Sequence, residues 1–461
     1  MLFRSPQNTG IPQGSTLSPI LFLFFASTLL PTLQEGRTRA MGFVDDSNIL
    51  TYSNSTEENC RQLEAAHQKC LDWASKHGAA FAPQKYQLIH FTRGRQHNLR
   101  ATVQIQGFEE GPVPALRLLG VWVDTKLQWG PHIKRAAEKG ANQMQSLQRL
   151  CKSTWGASFQ KARHLYTAVV RPAMMFGCTT WMDPEGTKGH RKGLTQPLEK
   201  VQNQALRQIT GAYKSVPAAV LQREADIPPI HLYAQDLARQ AAKRNKDQAV
   251  YYYIQDRCRD IAKQAQKTKR HRQGNTQPTH STRQERIQEI VANQEALQEA
   301  PKKDWWMHQK WEAAWNRLKA NRNQRNRAQT AAWTSDKTNA GRHLHKGWSR
   351  PESTMATLLR TEHIGFKAYL AKRRVPGISP DCTCNQGYQT PKHVCISCPE
   401  RQRNRQALFA AAGSSNWKDL TNTKRGLLAT ARWLIQEGVL DQFSLAKGEE
   451  LQRIQEEEEE E

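Results

Sequence analysis

Asp45 and Asp46 stand side by side in the stretch Gly42-Phe43-Val44-Asp45-Asp46-Ser47-Asn48-Ile49-Leu50-Thr51. Two short apolar stretches enclose the pair, the pattern of a hairpin with acids at its tip. On a regular strand successive side chains point to opposite faces, so adjacent carboxylates serve one site only where the chain turns. Placed together they repel, and a bound cation relieves that cost. Mg²⁺ or Mn²⁺ takes carboxylate and phosphate oxygens, and two ions ~3.5–4 Å apart stabilise the attacking and leaving oxygens of a nucleotidyl transfer. The bland alternative is an Asp-rich turn that binds nothing.

Cys382-x-Cys384-x8-His393-x4-Cys398 offers a second kind of chemistry. Zn²⁺ takes four such ligands tetrahedrally, and Gly387 allows the loop between them to fold back. Cys395 makes a CxxC with Cys398 and competes for one ligand position. The alternative here is a set of free thiols in a loop.

These groups need rigid elements around them. Leu63, Ala66, Cys70 and Trp73 recur at helical spacing between Asn59 and His77, and Gly78 is a stop signal. Tyr86 to Phe91 reads as a strand. So does Leu116 to Asp124, broken by Gly120, and the pattern from Pro131 to about Val170 is helical. The most apolar run, Ile20 to Leu30, is closed by Pro19 and Pro31. It falls short of the ~18–20 residues that span a bilayer. As the core of a leader it would sit behind an unusually polar start, so a buried helix with a proline in its first turn is the better account. No membrane partner is expected.

The chain has 461 residues, of which 38% are hydrophobic, and a formal charge of +25 with a pI near 9.8. Such an excess of cations points to a polyanion partner. Nine scattered cysteines exclude a disulfide scaffold and indicate a reducing compartment. Between Arg257 and Arg350 there are 21 Lys or Arg and 8 Asp or Glu, a net of +13. The first part of this belt reads as a disordered basic linker. The belt also carries Trp305, Trp306, Trp311, Trp315, Trp333 and Trp348, which suit base stacking. Met307, Trp311 and Trp315 recur every four residues, so the same residues also read as core anchors of an amphipathic helix. No internal repeat of fixed period is present.

Several ordered motifs accompany the aspartates. Gly10-Ile11-Pro12-Gln13-Gly14-Ser15 with Leu17-Ser18-Pro19 precedes them. Phe81-Ala82-Pro83-Gln84-Lys85, running into Leu88-Ile89-His90-Phe91, follows, and then Leu118-Leu119-Gly120-Val121 with Asp124, Leu127 and His132. This order resembles the palm and thumb of reverse transcriptases from LINE-type (non-LTR) retrotransposons. Leu206 to Tyr233 resembles the region after the thumb in fungal elements. Leu359 to Pro399 resembles their C-terminal end, including Thr390 and His393 of its Cys/His cluster.

The resemblance implies an α+β fold: a partial reverse-transcriptase palm over 1–130, a helical thumb and following region over 131–240, and a basic linker over 241–301. A basic Trp-rich helical segment over 302–350 follows. A small α-rich C-terminal unit with the Cys/His cluster covers 351–445, and an acidic tail 446–461. It further implies that Asp45 and Asp46 are catalytic Mg²⁺ (or Mn²⁺) ligands, with Phe43 and Val44 in the strand that presents them. Pro12, Gln13 and Gly14, with Phe43, would line the nucleotide and template side. Lys85 would be the general acid to pyrophosphate, while Asp124 and His132 are structural. Cys382, Cys384, His393 and Cys398 would hold a structural Zn²⁺, and RNA and DNA would be the partners.

The family also needs a third carboxylate on a strand ahead of the glycine-rich motif, whereas the first acid here is Glu35. An N-terminally truncated enzyme, inactive without the missing N-terminal part, is therefore expected. No RNase H site is expected among Glu285, Glu289, Glu295, Glu299 and Asp304, which lack its strand-borne context. A non-enzymatic, zinc-stabilised RNA- or DNA-binding protein is the alternative.

Overall fold

Residues 15–92, 98–184, 193–244, 305–324, 330–334 and 340–446 are described by a computed structural model. In them helices dominate, and the strands form two separate antiparallel hairpins. The chain divides into two units, Met1–His132 and Ile133–Glu461. The basic linker is described only as far as Arg244, and the acidic tail and the Glu285–Asp304 segment lie outside the described residues. No helix among the described residues is long and apolar enough to cross a membrane.

The first unit begins with α1 (Ser18–Ala26) and α2 (Leu29–Leu33), followed by β1 (Thr38–Phe43), β2 (Asp46–Thr51) and α3 (Thr56–His77). Ser55 caps α3 by accepting the Glu58 N–H at 3.1 Å, and Gly78 closes it at φ +64°, the left-handed conformation that suits glycine. Its apolar face, with Ala66, Cys70 and Trp73, packs against Leu29, Leu33 and Ala40. Helix α1 starts at a proline as expected, yet none of its residues is buried. Leu21, Leu23 and Phe24 are 46%, 56% and 74% exposed. The run is apolar on every side, and only Phe25 finds an aromatic partner in the helix layer, edge-on to Trp73 at 5.5 Å. The expectation of a buried helix is corrected to an apolar helix lying open.

Two further expectations change in this unit. Tyr86 to Phe91 is not a strand. Leu88 and His90 are buried as the alternation predicts, but the backbone forms only isolated bonds, from Val113 N–H to Leu88 C=O and from Thr92 N–H to Thr125 C=O. His90 Nε2 instead meets the Ala101 carbonyl at 2.7 Å. Leu116 to Asp124 is a hairpin, β3 (Ala115–Leu118) and β4 (Val121–Asp124), rather than one strand. Its two-residue loop, Leu119-Gly120, has φ +46° and +87°, the positive pair that a tight hairpin of matching twist requires.

The helical pattern from Pro131 to Val170 is interrupted. Helix α4 (Gly130–Leu150) ends in a bridge between Cys151 and Gly156 before α5 (Phe159–Leu165) and a π turn over Tyr166–Val170. Gly156, at φ +94°, lies so close to the Leu150 carbonyl that a Cβ would come within 2.3 Å of it. Short helices α6 (Arg171–Met174) and α7 (Cys178–Trp181) lead to α8 (Gln196–Thr210), α9 (Ala218–Ala225) and α10 (Ile230–Arg244). Next come α11 (Trp305–Gln324), α12 (Ala331–Thr334), α13 (Ala340–Leu344), α14 (Arg350–Thr361) and α15 (Lys367–Lys372). The series closes with α16 (Gln402–Ala412), α17 (Trp417–Asn422) and α18 (Lys424–Gln436). The C-terminal part has a core of Met355, Leu358, Leu359, Leu427 and Leu434 among others.

Met307, Trp311 and Trp315 all face inward on α11, as core anchors. Arg223 lies over the Trp311 and Trp315 rings at 4.7 and 5.0 Å and donates to Glu312 at 2.7 Å. Trp315 stacks on Trp333 at 4.9 Å, and Trp333 and Trp348 are buried as well. These four rings are therefore closed to bases, which corrects the stacking reading for them.

Arg350, 3% exposed, draws the chain together at the end of α8. Its guanidinium donates to the carbonyls of Lys152, Gln208 and Ile209 at 2.5–2.6 Å, satisfying helix-end acceptors that the helix cannot. Gly211 terminates α8 at φ +70°, and a Cβ there would come within 2.3 Å of Thr354 Oγ1. Gly211→Ala is expected to destabilise the unit by about 1–3 kcal/mol, from left-handed strain and overpacking together. A urea midpoint equal to that of the parent chain would show that α8 and α14 yield freely there.

Candidate catalytic hairpin and metal cluster

The register of β1 and β2 runs from Thr38 opposite Thr51 to Phe43 opposite Asp46. Val44 and Asp45 are thus the two-residue loop, and Asp46 opens β2. The favoured two-residue loops need positive φ at their first residue, where glycine is usual. Here a β-branched valine takes φ +55°, at a cost of about 1–2 kcal/mol. One pair below the tip, where Gly42 faces Ser47, a Cβ on Gly42 would come within 3.0 Å of Leu30 Cδ1, so the strand rests closely on α2. The turn puts both carboxylates at an exposed tip beside exposed Phe43 and Val44. Neither the Asp45 nor the Asp46 carboxylate takes a hydrogen bond or ion pair from the described residues. Two adjacent, accessible, unpartnered carboxylates are a donor set that fits a divalent cation.

Lys85 ends a 3₁₀ turn over Pro83–Lys85 and is exposed. It forms no ion pair with Asp45 or Asp46 among the described residues. Pro12, Gln13 and Gly14 lie outside the described residues. Asp124 and His132 have visible structural work. The Asp124 carboxylate accepts the N–H groups of Gln128 and Trp129 at 2.9 and 2.6 Å, tying a turn in which Leu127 and Trp129 both have positive φ. His132, 4% exposed, accepts the Trp122 N–H through Nδ1 at 3.3 Å.

The cysteine cluster closes on itself. Ligand atoms of Cys382, Cys384, His393 and Cys398 all lie within 4.8 Å of one another. Cys382 Sγ is 3.8 Å from Cys398 Sγ, and Cys384 Sγ is 3.2 Å from His393 Nε2. Zn–S bonds of ~2.3 Å in a tetrahedron give S···S edges of about 3.8 Å, so the set fits zinc. Gly387 at φ +145° turns the loop, and its carbonyl accepts the Cys382 N–H at 2.8 Å. The Thr390 hydroxyl accepts the His393 N–H at 3.1 Å, and Ser397 Oγ lies 3.3 Å from His393 Nδ1. The Thr390 bond anchors the His393 backbone, and the Ser397 contact holds the ring with Nε2 toward the sulfurs, the outer support that metal-binding histidines need. Ser397 was not anticipated; its place four residues after His393 was the available signal.

Cys395 lies outside this set of four. It is fully buried in the C-terminal core, and burial pushes its thiol up to about 12. His393 and Cys395 stand two residues apart in the turn over His393–Ser397, and so lie on opposite sides of it, His393 at the cluster and Cys395 in the core.

Residues 2–123, which include the aspartate hairpin and Lys85, match the family described as reverse transcriptase (RNA-dependent DNA polymerase). The chain is similar to the probable RNA-directed DNA polymerase from transposon BS of Drosophila melanogaster, with 24% identity over 239 residues, or 51% of this chain and 25% of that protein. It is also similar to the putative 115 kDa protein in type-1 retrotransposable element R1DM of the same species. That match has 26% identity over 237 residues, or 50% of this chain and 22% of the relative. The RNA-directed DNA polymerase from mobile element jockey, also of Drosophila melanogaster, is 22% identical over 244 residues, 52% of this chain and 26% of that protein. The chain thus spans about a quarter of the length of these curated relatives. No solved structure matches. The resemblance to non-LTR retrotransposon reverse transcriptases, drawn from the palm motifs, is borne out.

Proposed function

We propose that this chain supplies the Asp45/Asp46 part of the active site of an RNA-directed DNA polymerase, together with a zinc-held C-terminal module that works on nucleic acid. The observation that carries the reading is the hairpin tip: two adjacent, exposed carboxylates without partners among the described residues, inside the segment matching the reverse transcriptase family. Asp45 and Asp46 would hold Mg²⁺ or Mn²⁺. Bound there, the cations would stabilise the charge that develops on the attacking and leaving oxygens of nucleotidyl transfer. Phe43 and Val44 expose apolar surface beside the carboxylates, suited to the flat face of a base or sugar. Lys85 is the residue proposed to deliver a proton to pyrophosphate.

The first acid of the sequence is Glu35, so a third carboxylate ahead of the Gly10–Pro19 motif has to come from outside these 461 residues. Positioning chemistry tolerates the loss of a ligand poorly. The 461-residue chain is therefore expected to give no primer extension on an RNA template with Mg²⁺ or Mn²⁺, while retaining RNA at low salt. Synthesis abolished by Asp45→Ala would refute the need for an outside carboxylate and identify the hairpin as catalytic within this chain.

The Cys382/Cys384/His393/Cys398 geometry favours a second reading, a non-enzymatic zinc-stabilised RNA- or DNA-binding protein. Under it Asp45→Ala leaves binding unchanged and steeply salt-dependent. Loss of RNA retention at low salt in the parent chain would sink both readings.

A further inference from the structure

Helix α15 is short, six residues from Lys367 to Lys372, but it is anchored at both its start and its middle. At its start, the N–H groups of Lys367 and Ala368 donate to the side chain and backbone of Gln389, in the loop of the cysteine cluster. In its middle, the Tyr369 hydroxyl is 2.5 Å from Ser215 Oγ, which in turn lies 2.8 Å from His363 Nδ1. The Tyr369 ring also stacks on Tyr213 at 6.0 Å. Two loops far apart in sequence thus meet on one tyrosine. Nothing in the hairpin chemistry uses this arrangement.

Residues three and four positions beyond a helical residue share its face. Lys372 and Arg373 therefore follow Tyr369 on the anchored side, one turn on. Arg374 comes next at φ +59°, and its N–H still closes on the Ala371 carbonyl at 2.8 Å, so the three cations sit on a closed helix end rather than a loose tail. All three are exposed, and none forms an ion pair or side-chain hydrogen bond among the described residues. The nearby carboxylate is Glu362, which interacts with Lys372 without a direct pair. Their field extends inward. Burial first, then Lys372, Arg373 and Arg322, hold the His363 imidazole below its ordinary range.

We infer that the Lys372-Arg373-Arg374 end of α15, seated on the Ser215–His363–Tyr369 hydrogen-bond cluster, is a contact site for the phosphodiester backbone of a nucleic acid. A held row of unpaired cations presents point charges and planar guanidinium forks at fixed positions, which suits successive phosphates. The helix dipole accounts for a cation or two at this end, but not for three in succession carried through a left-handed turn. The inference does not depend on the polymerase reading, since it holds equally if Asp45 and Asp46 prove inert.

The test is the salt dependence of binding of a fluorescent single-stranded oligonucleotide to the full chain, with one sequence made as RNA and as DNA. Each phosphate neutralised contributes a slope of about 0.7 in log affinity against log salt for single strands. K372Q/R373Q/R374Q is expected to lower that slope by about 2, and R373Q alone by about 0.7, equally on RNA and DNA. A charge-matched control, K346Q/K418Q/K424Q, removes three exposed cations scattered elsewhere in the same unit and is expected to change the slope little. An unchanged slope in the α15 variants, or an equal fall in the control, would overturn the inference in favour of diffuse attraction. Loss confined to RNA would overturn the backbone chemistry in favour of a 2′-hydroxyl contact.

Discussion

Replacing Arg360 by methionine is expected to destabilise the C-terminal part of the chain by about 3–5 kcal/mol, because it strands a buried carboxylate. Arg360 and Glu224 are 1% and 2% exposed. The guanidinium donates to Glu224 Oε1 at 2.9 Å, to the Thr421 carbonyl at 2.8 Å and to Asn422 Oδ1 at 3.1 Å, so one side chain joins α14, α9 and α17. Burial by itself would raise the Glu224 carboxyl, but Arg360 and the adjacent His345 hold it below the ordinary range. In the parent chain this group contributes stability above the unfolded carboxylate pKa and loses it as pH falls through the lower folded value.

The variant reverses the sign. With Arg360 gone, burial raises Glu224, and His345, whose Nε2 is 3.8 Å from Glu224 Oε2, gains reason to take a proton. The folded variant then binds more protons than its unfolded chain, so its deficit shrinks as pH falls from 7.5 toward 5. Urea midpoints of parent and variant at the two pH values measure this. The double variant R360M/E224Q should lose less than the sum of the single losses. A deficit independent of pH, with additive single losses, would mean that Glu224 is neutral or solvated in the folded chain.

None of that network was readable from the sequence. Glu224 and Arg360 are 136 positions apart, and charged residues are ordinarily expected at the surface. The hairpin was readable, because alternating apolar residues on both sides of an acid pair leave few other local structures. Helix α3 was readable for a similar reason, its period and its glycine stop agreeing. Cys382, Cys384, His393 and Cys398, which the fold gathers, stand out by spacing, yet spacing alone keeps Cys395 beside them, since the core that buries it is assembled from segments distant in sequence.

Helix α1 shows the opposite limit. Hydrophobicity predicts a helix there, but a run apolar on every side has no face to name as buried. The tryptophans of the basic belt had two physical readings with the same sequence, and only the direction of α11 separates them. Positive φ at Val44 was unreadable in principle from local preference, which assigns that position to glycine.

Removing zinc is expected to have the largest effect of any single treatment. Four candidate ligand atoms lie within 4.8 Å of one another, and the loop that carries them otherwise rests on isolated hydrogen bonds such as Cys382 N–H to Gly387 C=O and Lys367 N–H to Gln389 Oε1. The short hairpin there has one bridge, between Asp381 and Tyr388. Without an ion, burial and the neighbouring thiols push Cys398 up to about 11, so the ion must displace a proton to bind there. Structural zinc contributes ~10–16 kcal/mol in isolated finger peptides. Here the adjoining core of Val394, Cys395 and Leu408 would keep part of the unit together, so the loss is a fraction of that figure. The purified chain should carry one zinc, and a chelator should release it and lower the melting temperature of the C-terminal part. Cys395 reports the event directly: fully buried and with a raised thiol, it should be inert to a thiol reagent in the zinc-loaded chain and react after chelation. His393→Ala should behave like the chelated parent without any chelator. Zinc far below one per chain, or a melting temperature that neither chelator nor His393→Ala moves, would reduce the cluster to free thiols in a loop.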